Sequence, residues 1–495
     1  MESLYYLFIT FSFIFLLYKT LFHRTKNQPP APFALPIIGH LHKLRNKPLP
    51  LALQTLLSQY GPIVSLKFGC RSVLVVSSPS LVEECFTKND ITFANRPRSM
   101  AADHFTYNYS SYAWASYGDL WRTLRRFTVT ELFSSNSLRR TSAIREQEVC
   151  RLLHRLYKVS AYGKQKVDMK FLSSLLMCNV MMRATVGKPC VDVEDEDTEA
   201  EKQLLEGFKD RFFPTVAMNI CDFIPFLRKI GFKGIEKSMI KTHNIRDEFL
   251  QSLIDEIRAK GINKEEKRSA AETLLHLQEL EPGVYTDDVI KSIMVLMFIA
   301  GVETSAVALE WAMSLLLMYP EILQKLKAEI DNYVGHKRLL NDSDLIKLPY
   351  LRCVVNETLR LYPPTPLILP RLSSEACRVG GFEIPKDTVL LVNVWAMHRD
   401  PNVWEEPSEF RPERFEEEQH EFKFLPFGMG RRACPGAGMG TRIIALAVGS
   451  LIQCFNWEHD GLDMAQHFGL SLSKANPLAA ICCPRQEFVN LLSQL

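Results

Sequence analysis

The 495-residue chain has no C-x-x-C pair, although it holds 12 cysteines. Zinc modules and small disulfide scaffolds depend on clustered cysteines, so neither class fits. Most of these cysteines are read as reduced, buried small hydrophobes. There is no excess of either charge. Against 56 Asp+Glu stand 59 Lys+Arg, which offers no basic field to a nucleic acid. Internal repeats and low-complexity tracts are absent, and no long linker follows residue 40. A composition of 47% hydrophobic and 23% charged residues excludes disordered, collagenous and polytopic membrane chains.

One segment is long and free of charge. Residues 3–18 carry none, and a snorkelling Lys19 extends the stretch to Phe22, about the 20 residues that cross a bilayer core. A cleaved signal peptide places basic residues before its apolar core and small residues after it. Here Glu2 precedes the core, Lys19, Arg24 and Lys26 follow it, and bulky Phe22 and His23 occupy the cleavage position. The pattern predicts a retained single-pass anchor over residues 1–24, with the remainder on the cytosolic side. Pro29, Pro30, Pro32 and Pro36 predict a stiff hinge over residues 25–40. From 41 to 495 we expect one catalytic domain, mainly α with small β-sheets. A hairpin is expected around Gly69, Cys70 and Arg71, and a further strand from Val389.

A long helix runs through the middle of the chain. Thr286 can cap it, Asp287 and Asp288 occupy its first turn, and Pro320 stops it. Lys291, Glu303 and Glu310 leave no apolar run long enough for a second membrane span. Ala300, Thr304 and Ala308 recur every four residues beside Gly301, a strip of small side chains that admits something flat or a neighbouring helix. Glu303 and Thr304 are harder to account for as packing, because a buried carboxylate and hydroxyl need partners.

The most specific signal lies near the C-terminus. FGMGRRACPG reads as F-x-x-G-x-R-x-C-x-G and fixes Phe427, Gly430, Arg432, Cys434 and Gly436. Five fixed positions arise by chance on the order of once in ten thousand chains of this length. A glycine-rich turn can aim backbone amides at one sulfur and stabilise it as a thiolate. One cysteine without companions cannot hold zinc, but it can supply a single axial bond to a haem iron. Arg432 is then placed to neutralise a haem carboxylate, and Phe427 to pack near the ligand loop.

With these residues the chain resembles the cytochrome P-450 family over essentially its whole length. Trp121 and Arg125 match W-x-x-x-R, Ala300 to Ser305 the oxygen-binding strip, Glu357 and Arg360 E-x-x-R, and Pro412 to Phe415 P-E-R-F. E-x-x-R also occurs from Glu148, Glu265 and Glu375, so only order and spacing single out Glu357. The resemblance implies the family's fold and haem b ligated by Cys434. It implies that Trp121, Arg125, Arg371, Arg96, Arg432, Phe427 and Gly436 bind the cofactor. A structural triad of Glu357, Arg360 and Arg414 is implied as well. The anchor, the hinge and the wording of the ligand loop resemble plant microsomal members, most of all the plant family 81 group.

For function, the resemblance implies activation of molecular oxygen, with Thr304 and Glu303 relaying protons, and insertion of one oxygen atom into a C–H bond. The substrate is expected to be a small apolar plant specialised metabolite, such as a flavonoid, another phenolic or a terpenoid. No flavin or dinucleotide fingerprint is fused to the chain, so electrons must come from NADPH through a cytochrome P-450 reductase on the same endoplasmic reticulum membrane. Arg122, Arg126, Lys423 and Arg431 are candidates for its docking face. Substrate contacts are expected from residues 104–114, 212–219, 365–369 and 470–477. Two other readings are a haem-thiolate isomerase or dehydratase that needs no external oxygen, and a non-catalytic haem sensor or carrier.

Overall fold

The computed structural model describes residues 10–12, 27–191, 198–212, 218–261, 269–416 and 420–495. Apart from residues 10–12, the expected membrane helix lies outside the described residues. The body is mainly helical, with small sheets at its edges. Five helices position the site: α1 (Asp119–Phe127), α2 (Met169–Val186), α3 (Asp287–Met318), α4 (Pro349–Leu361) and α5 (Ala437–Cys454).

Helix α3 has the expected ends. Thr286 is extended, and its hydroxyl accepts the Val289 amide at 3.4 Å; the helix stops at Met318, two residues before Pro320. Its most apolar stretch has the hydropathy of a membrane span, but that stretch is 67% buried inside the protein, as befits a core helix. Helix α2 crosses it closely. A Cβ on Gly301 would stand 2.6 Å from the Met181 sulfur, so part of the small-residue strip serves helix packing.

The hairpin forms as expected. Strands β1 (Ile63–Phe68) and β2 (Arg71–Val76) pair antiparallel around a two-residue turn at Gly69 and Cys70. Gly69 has φ +55, and a Cβ on it would meet the Phe223 carbonyl oxygen at 2.0 Å; no other residue fits. Strands β3 (Arg371–Leu372) and β4 (Val389–Val392) complete a four-stranded sheet in the order β1-β2-β4-β3, with β2 and β4 parallel. Alternation along these strands gives the sheet two apolar faces. Leu74, Val76, Leu390 and Val392 pack with Phe86 on one face. Val73, Val75, Val389 and Leu391 pack on the other.

By residue 30 the proline segment is tied to this sheet. The Ser65 amide donates to the Pro30 carbonyl at 2.8 Å, and the buried His40 ring bridges the Pro32 carbonyl and the Lys67 amide at 3.0 and 2.7 Å.

Helix α4 carries a fully buried ion pair. Arg360 donates through Nε and Nη2 to both carboxylate oxygens of Glu357 at 2.6 and 2.8 Å. Its remaining N–H groups reach the carbonyls of His398, Pro407 and Glu409 at 2.7, 2.8 and 3.0 Å. Arg414 Nε completes the expected triad at 3.3 Å from Glu357.

Candidate active site

The cysteine-bearing loop is shaped by its glycines. Gly428 and Gly430 both have left-handed backbones, with φ of 66 and 69. A Cβ on Gly430 would lie 2.4 Å from Asp90 Oδ1. The Asp90 carboxylate accepts the Arg431 amide at 3.2 Å, pinning one limb of the loop. The Cys434 amide donates to the Phe427 carbonyl at 2.9 Å and ties the other. Gly436 then opens α5. A Cβ there would make only ordinary contacts, 3.6 Å from the Phe133 ring and 3.9 Å from the Cys434 sulfur. Cys434 lies deep in the protein, yet its surface opens into a cavity. Burial pushes its thiol pKa up; the Gly436 amide and the Arg125 charge pull it back.

That cavity, of about 270 Å³, is mostly apolar. Thr304 and Ala300 of α3 form part of its wall. Three guanidiniums, from Arg96, Arg125 and Arg432, also line it, and no carboxylate among the described residues does. Trp121 and Arg125 stand four residues apart on α1 and so share a face. Arg432 donates to the carbonyls of Ala94 and Tyr112, each at 2.7 Å, and to that of Ala115. Arg96 holds Ala113 at 2.9 Å and both Leu369 and Pro370 at 2.7 Å. Arg125 makes no hydrogen bond or ion pair among the described residues, and the buried indole Nε1 of Trp121 has no partner.

These arginines strain one another electrostatically. Burial, then repulsion from Arg371 and Arg125, lowers the Arg432 pKa to about 9. Burial, then Arg432 and Arg371, lowers that of Arg96 well below its ordinary value. Buried like charges without counter-charges are costly. The cavity therefore suits a flat apolar group that carries anionic substituents at the arginine end and accepts a sulfur ligand. A haem meets all three requirements.

The sequence profile of the cytochrome P450 family matches residues 29–482. The chain belongs to the cytochrome P450 family. Cytochrome P450 81Q32 of Catharanthus roseus is 47% identical over 476 residues, covering 95% of this chain and 94% of that protein. An isoflavone 3'-hydroxylase of Medicago truncatula is 43% identical, covering 97% of each. The (+)-piperitol/(+)-sesamin synthase CYP81Q2 of Sesamum radiatum is also 43% identical, covering 98% of this chain and 97% of that one. These names place the chain in the plant family 81 group. A zebra fish cytochrome P450 solved with progesterone superimposes with a TM-score of 0.77 at 29% identity, covering 89% of this chain and all of the other. The protein is thus a cytochrome P450 monooxygenase that takes a cysteine-ligated haem, Cys434 is the cysteine in its cavity that would ligate it, and the family implies a reductase as electron donor.

Not every residue expected at the P450 cofactor site lines the cavity. Trp121, Arg125, Arg96, Arg432, Phe427, Gly436, Cys434 and Thr304 do. Arg371 does not. It sits opposite Leu390 on the Phe86 face of the sheet, with its guanidinium 3.9 Å above the Phe86 ring, near Asp90 and bonded to the Met429 carbonyl. Glu303 also lies outside the cavity wall: its carboxylate accepts the Ser471 hydroxyl at 2.6 Å. Ser471 adjoins a hairpin of strands β5 (Gln466–Phe468) and β6 (Leu472–Lys474), which is fastened to α3 again where the Trp311 indole donates to the Leu472 carbonyl at 2.8 Å.

Of the expected substrate segments, Tyr112, Ala113, Thr365, Ile368 and Leu369 reach the cavity, and no described residue from 470–477 does. Residues 213–217 lie outside the described residues. Sequence reasoning missed, among others, Met177, Val180, Met181, Leu296 and Met297, which form part of the wall. All five are apolar helix residues, so nothing local marks them. Asp90 was missed as well, because its two contacts come from residues far along the chain.

Proposed function

We propose that this chain hydroxylates a plant phenolic of the isoflavonoid or lignan kind, and that it works as an anchored microsomal enzyme. The observation that carries the site assignment is a cavity beside Cys434 with three guanidiniums and, among the described residues, an unpartnered indole N–H and no carboxylate. Arg96, Arg125, Arg432 and Trp121 would hold the carboxylates of the haem, and Phe427 and Gly436 would border its sulfur ligand. The bound haem supplies oxygen activation and C–H oxygen insertion. Arg371, one layer behind, braces Met429 of the ligand loop and adds positive charge behind Arg96 and Arg432. The Thr304 hydroxyl donates to the Ala300 carbonyl at 2.6 Å, which leaves its lone pairs to accept a proton-bearing water in the cavity. Glu303 faces Ser471 and not the cavity, so any part it takes in the relay runs through water to Thr304.

The phenolic substrate follows from the relatives' names and suits the flat apolar surface offered by Ala113, Ile368, Leu369, Leu296 and Ala300. The apolar segment of residues 3–18 supports a single-pass anchor in the endoplasmic reticulum, with residues 25–40 as the hinge and 41–495 as the body. Exposed Arg122 and Arg126 on α1 support reductase docking on that side. Microsomes containing this chain and a cytochrome P-450 reductase, given NADPH and a panel of isoflavones, lignans and terpenoids, test the reading. Oxygenated product dependent on NADPH and oxygen is expected. Turnover of a peroxide without NADPH would favour an isomerase, and a haem-loaded protein inert to the whole panel would refute the substrate class.

A further inference from the structure

His398 stands between the buried ion pair and the cysteine loop, and it touches both. It is completely buried. One ring nitrogen, Nδ1, lies 3.0 Å from the Arg360 carbonyl; the other, Nε2, lies 3.1 Å from the Leu425 amide nitrogen. A backbone amide can only donate, so Nε2 accepts and Nδ1 carries the proton given to Arg360. The ring is therefore neutral and in a single tautomer. Burial, then the Arg360 charge, pushes its pKa down to about 3. The main chain answers in kind, because the His398 carbonyl accepts from the Arg360 guanidinium at 2.7 Å. Phe424 stacks on the ring with centroids 5.7 Å apart, and Trp404 meets it edge-on at 6.4 Å.

Leu425 is where the loop departs toward Cys434. Residue 426 is proline and has no amide, which leaves the Leu425 N–H as the last donor before Phe427. The Leu425 carbonyl accepts the Gly428 amide at 3.1 Å, and the Phe427 carbonyl accepts the Cys434 amide at 2.9 Å. The connection runs in series: hydrogen bonds join the Arg360 carbonyl to the His398 ring and the ring to the Leu425 amide, the main chain leads from Leu425 to Phe427, and the Phe427 carbonyl takes the Cys434 amide. We propose that His398 is a positioning residue for the Cys434 sulfur, and that its Nε2 bond to the Leu425 amide sets the height of the thiolate loop on the fixed platform of α4.

Two conservative variants separate the two ring bonds. In His398→Gln the terminal amide oxygen reaches the Nε2 position and can accept from Leu425. In His398→Asn the shorter amide reaches only the Nδ1 position and can serve Arg360 alone. His398→Phe fills the space and makes neither bond. Each purified protein is assayed for haem content, for the ferrous carbon-monoxide spectrum, and for the urea midpoint. With His398 as a positioning residue, His398→Gln keeps the thiolate band in most molecules. His398→Asn and His398→Phe convert at least half of the bound haem to the blue-shifted band of a protonated or detached thiol, at urea midpoints close to that of His398→Gln. A purely structural histidine would make band loss follow the urea midpoint, whichever bond is kept. Equal band loss in the Gln and Asn variants would overturn the proposal, as would a full thiolate band in His398→Phe. Should His398→Phe fail to fold, the Gln and Asn pair still decides.

Discussion

Glu357→Gln removes one charge and almost no volume from the centre of the protein. Glu357 and Arg360 are both 0% exposed, so water cannot replace what is lost. Arg360 has every N–H engaged, two with Glu357 and the rest with carbonyls, and it stays charged and in place. After the substitution its charge faces only dipoles, and the glutamine NH₂ must point at a guanidinium N–H. Glu357 Oε1 also receives the Arg411 amide at 2.9 Å and Arg414 Nε at 3.3 Å, so any turn of the new amide breaks one contact to mend another. Breaking a buried pair from one side costs about 3–5 kcal/mol, which is a large share of the ~5–15 kcal/mol that holds a typical domain. The control is the same tetrapeptide elsewhere: Glu375 is exposed, and Glu375→Gln is expected to cost no more than about 0.5 kcal/mol. Urea unfolding of the two purified variants, followed by tryptophan fluorescence and by haem release, measures the difference. A Glu357→Gln midpoint within error of the Glu375→Gln midpoint would refute the argument.

Arg125→Leu removes a guanidinium that bonds no group among the described residues, so urea stability of the haem-free protein should hold or rise while haem transfers from the loaded protein to apomyoglobin about ten- to a hundredfold faster, as expected for a lost charged hydrogen bond of about 1.5–3 kcal/mol; unchanged transfer would remove Arg125 from the haem site. Thr304→Ala should fold normally, since alanine favours helix, yet NADPH consumption should yield more hydrogen peroxide and roughly a hundredfold less product, the lower end of what general acid catalysis contributes; full coupling of NADPH to product would end its proton-relay role. Gly430→Ala places a Cβ 2.4 Å from Asp90 Oδ1 at a φ of +69, so carbon-monoxide difference spectra should show loss of the thiolate band; retention of that band would mean the loop can shift. His398 has a pKa of about 3 when folded against an ordinary value near 6.5, so the unfolded chain binds the extra proton. Its contribution is complete above about pH 6.5 and falls by about 1.4 kcal/mol per unit as pH drops toward 3, a slope that His398→Gln should reduce in urea titrations between pH 7 and 5.

What was legible in the sequence was local. The hairpin was visible because Gly69 lies between two β-branched runs. Helix α3 was visible because Thr286 and Pro320 mark its ends, and the ligand loop because its glycines and cysteine lie within ten residues. Trp121 and Arg125 could be placed together because helical spacing puts them on one face. The remaining features depend on partners that spacing cannot reveal. Glu303 turns to Ser471, 168 positions away in sequence. Arg371 faces Phe86 because the register with Leu390 fixes which side of a two-residue strand points where. His398 looks in sequence like any histidine after a strand. Only the meeting of Arg360 and Leu425 on its two nitrogens gives it a tautomer and a task.

The charge arrangement also explains why this pocket requires its cofactor. Arg432 and Arg371 depress the pKa of Arg96, and Arg371 and Arg125 depress that of Arg432. The carbonyls that Arg96 and Arg432 hold are dipoles, not counter-charges. Asp90 is engaged by Arg371 and by the amide and guanidinium of Arg431. The positive field at the cavity end is therefore left standing, and so is the Trp121 N–H. A ligand with anionic groups removes this repulsion when it binds, and whatever binds the folded state alone stabilises it by mass action. The same residues that would orient a haem also make the fold depend on it, which is why loss of one arginine should register in haem exchange before it registers in unfolding.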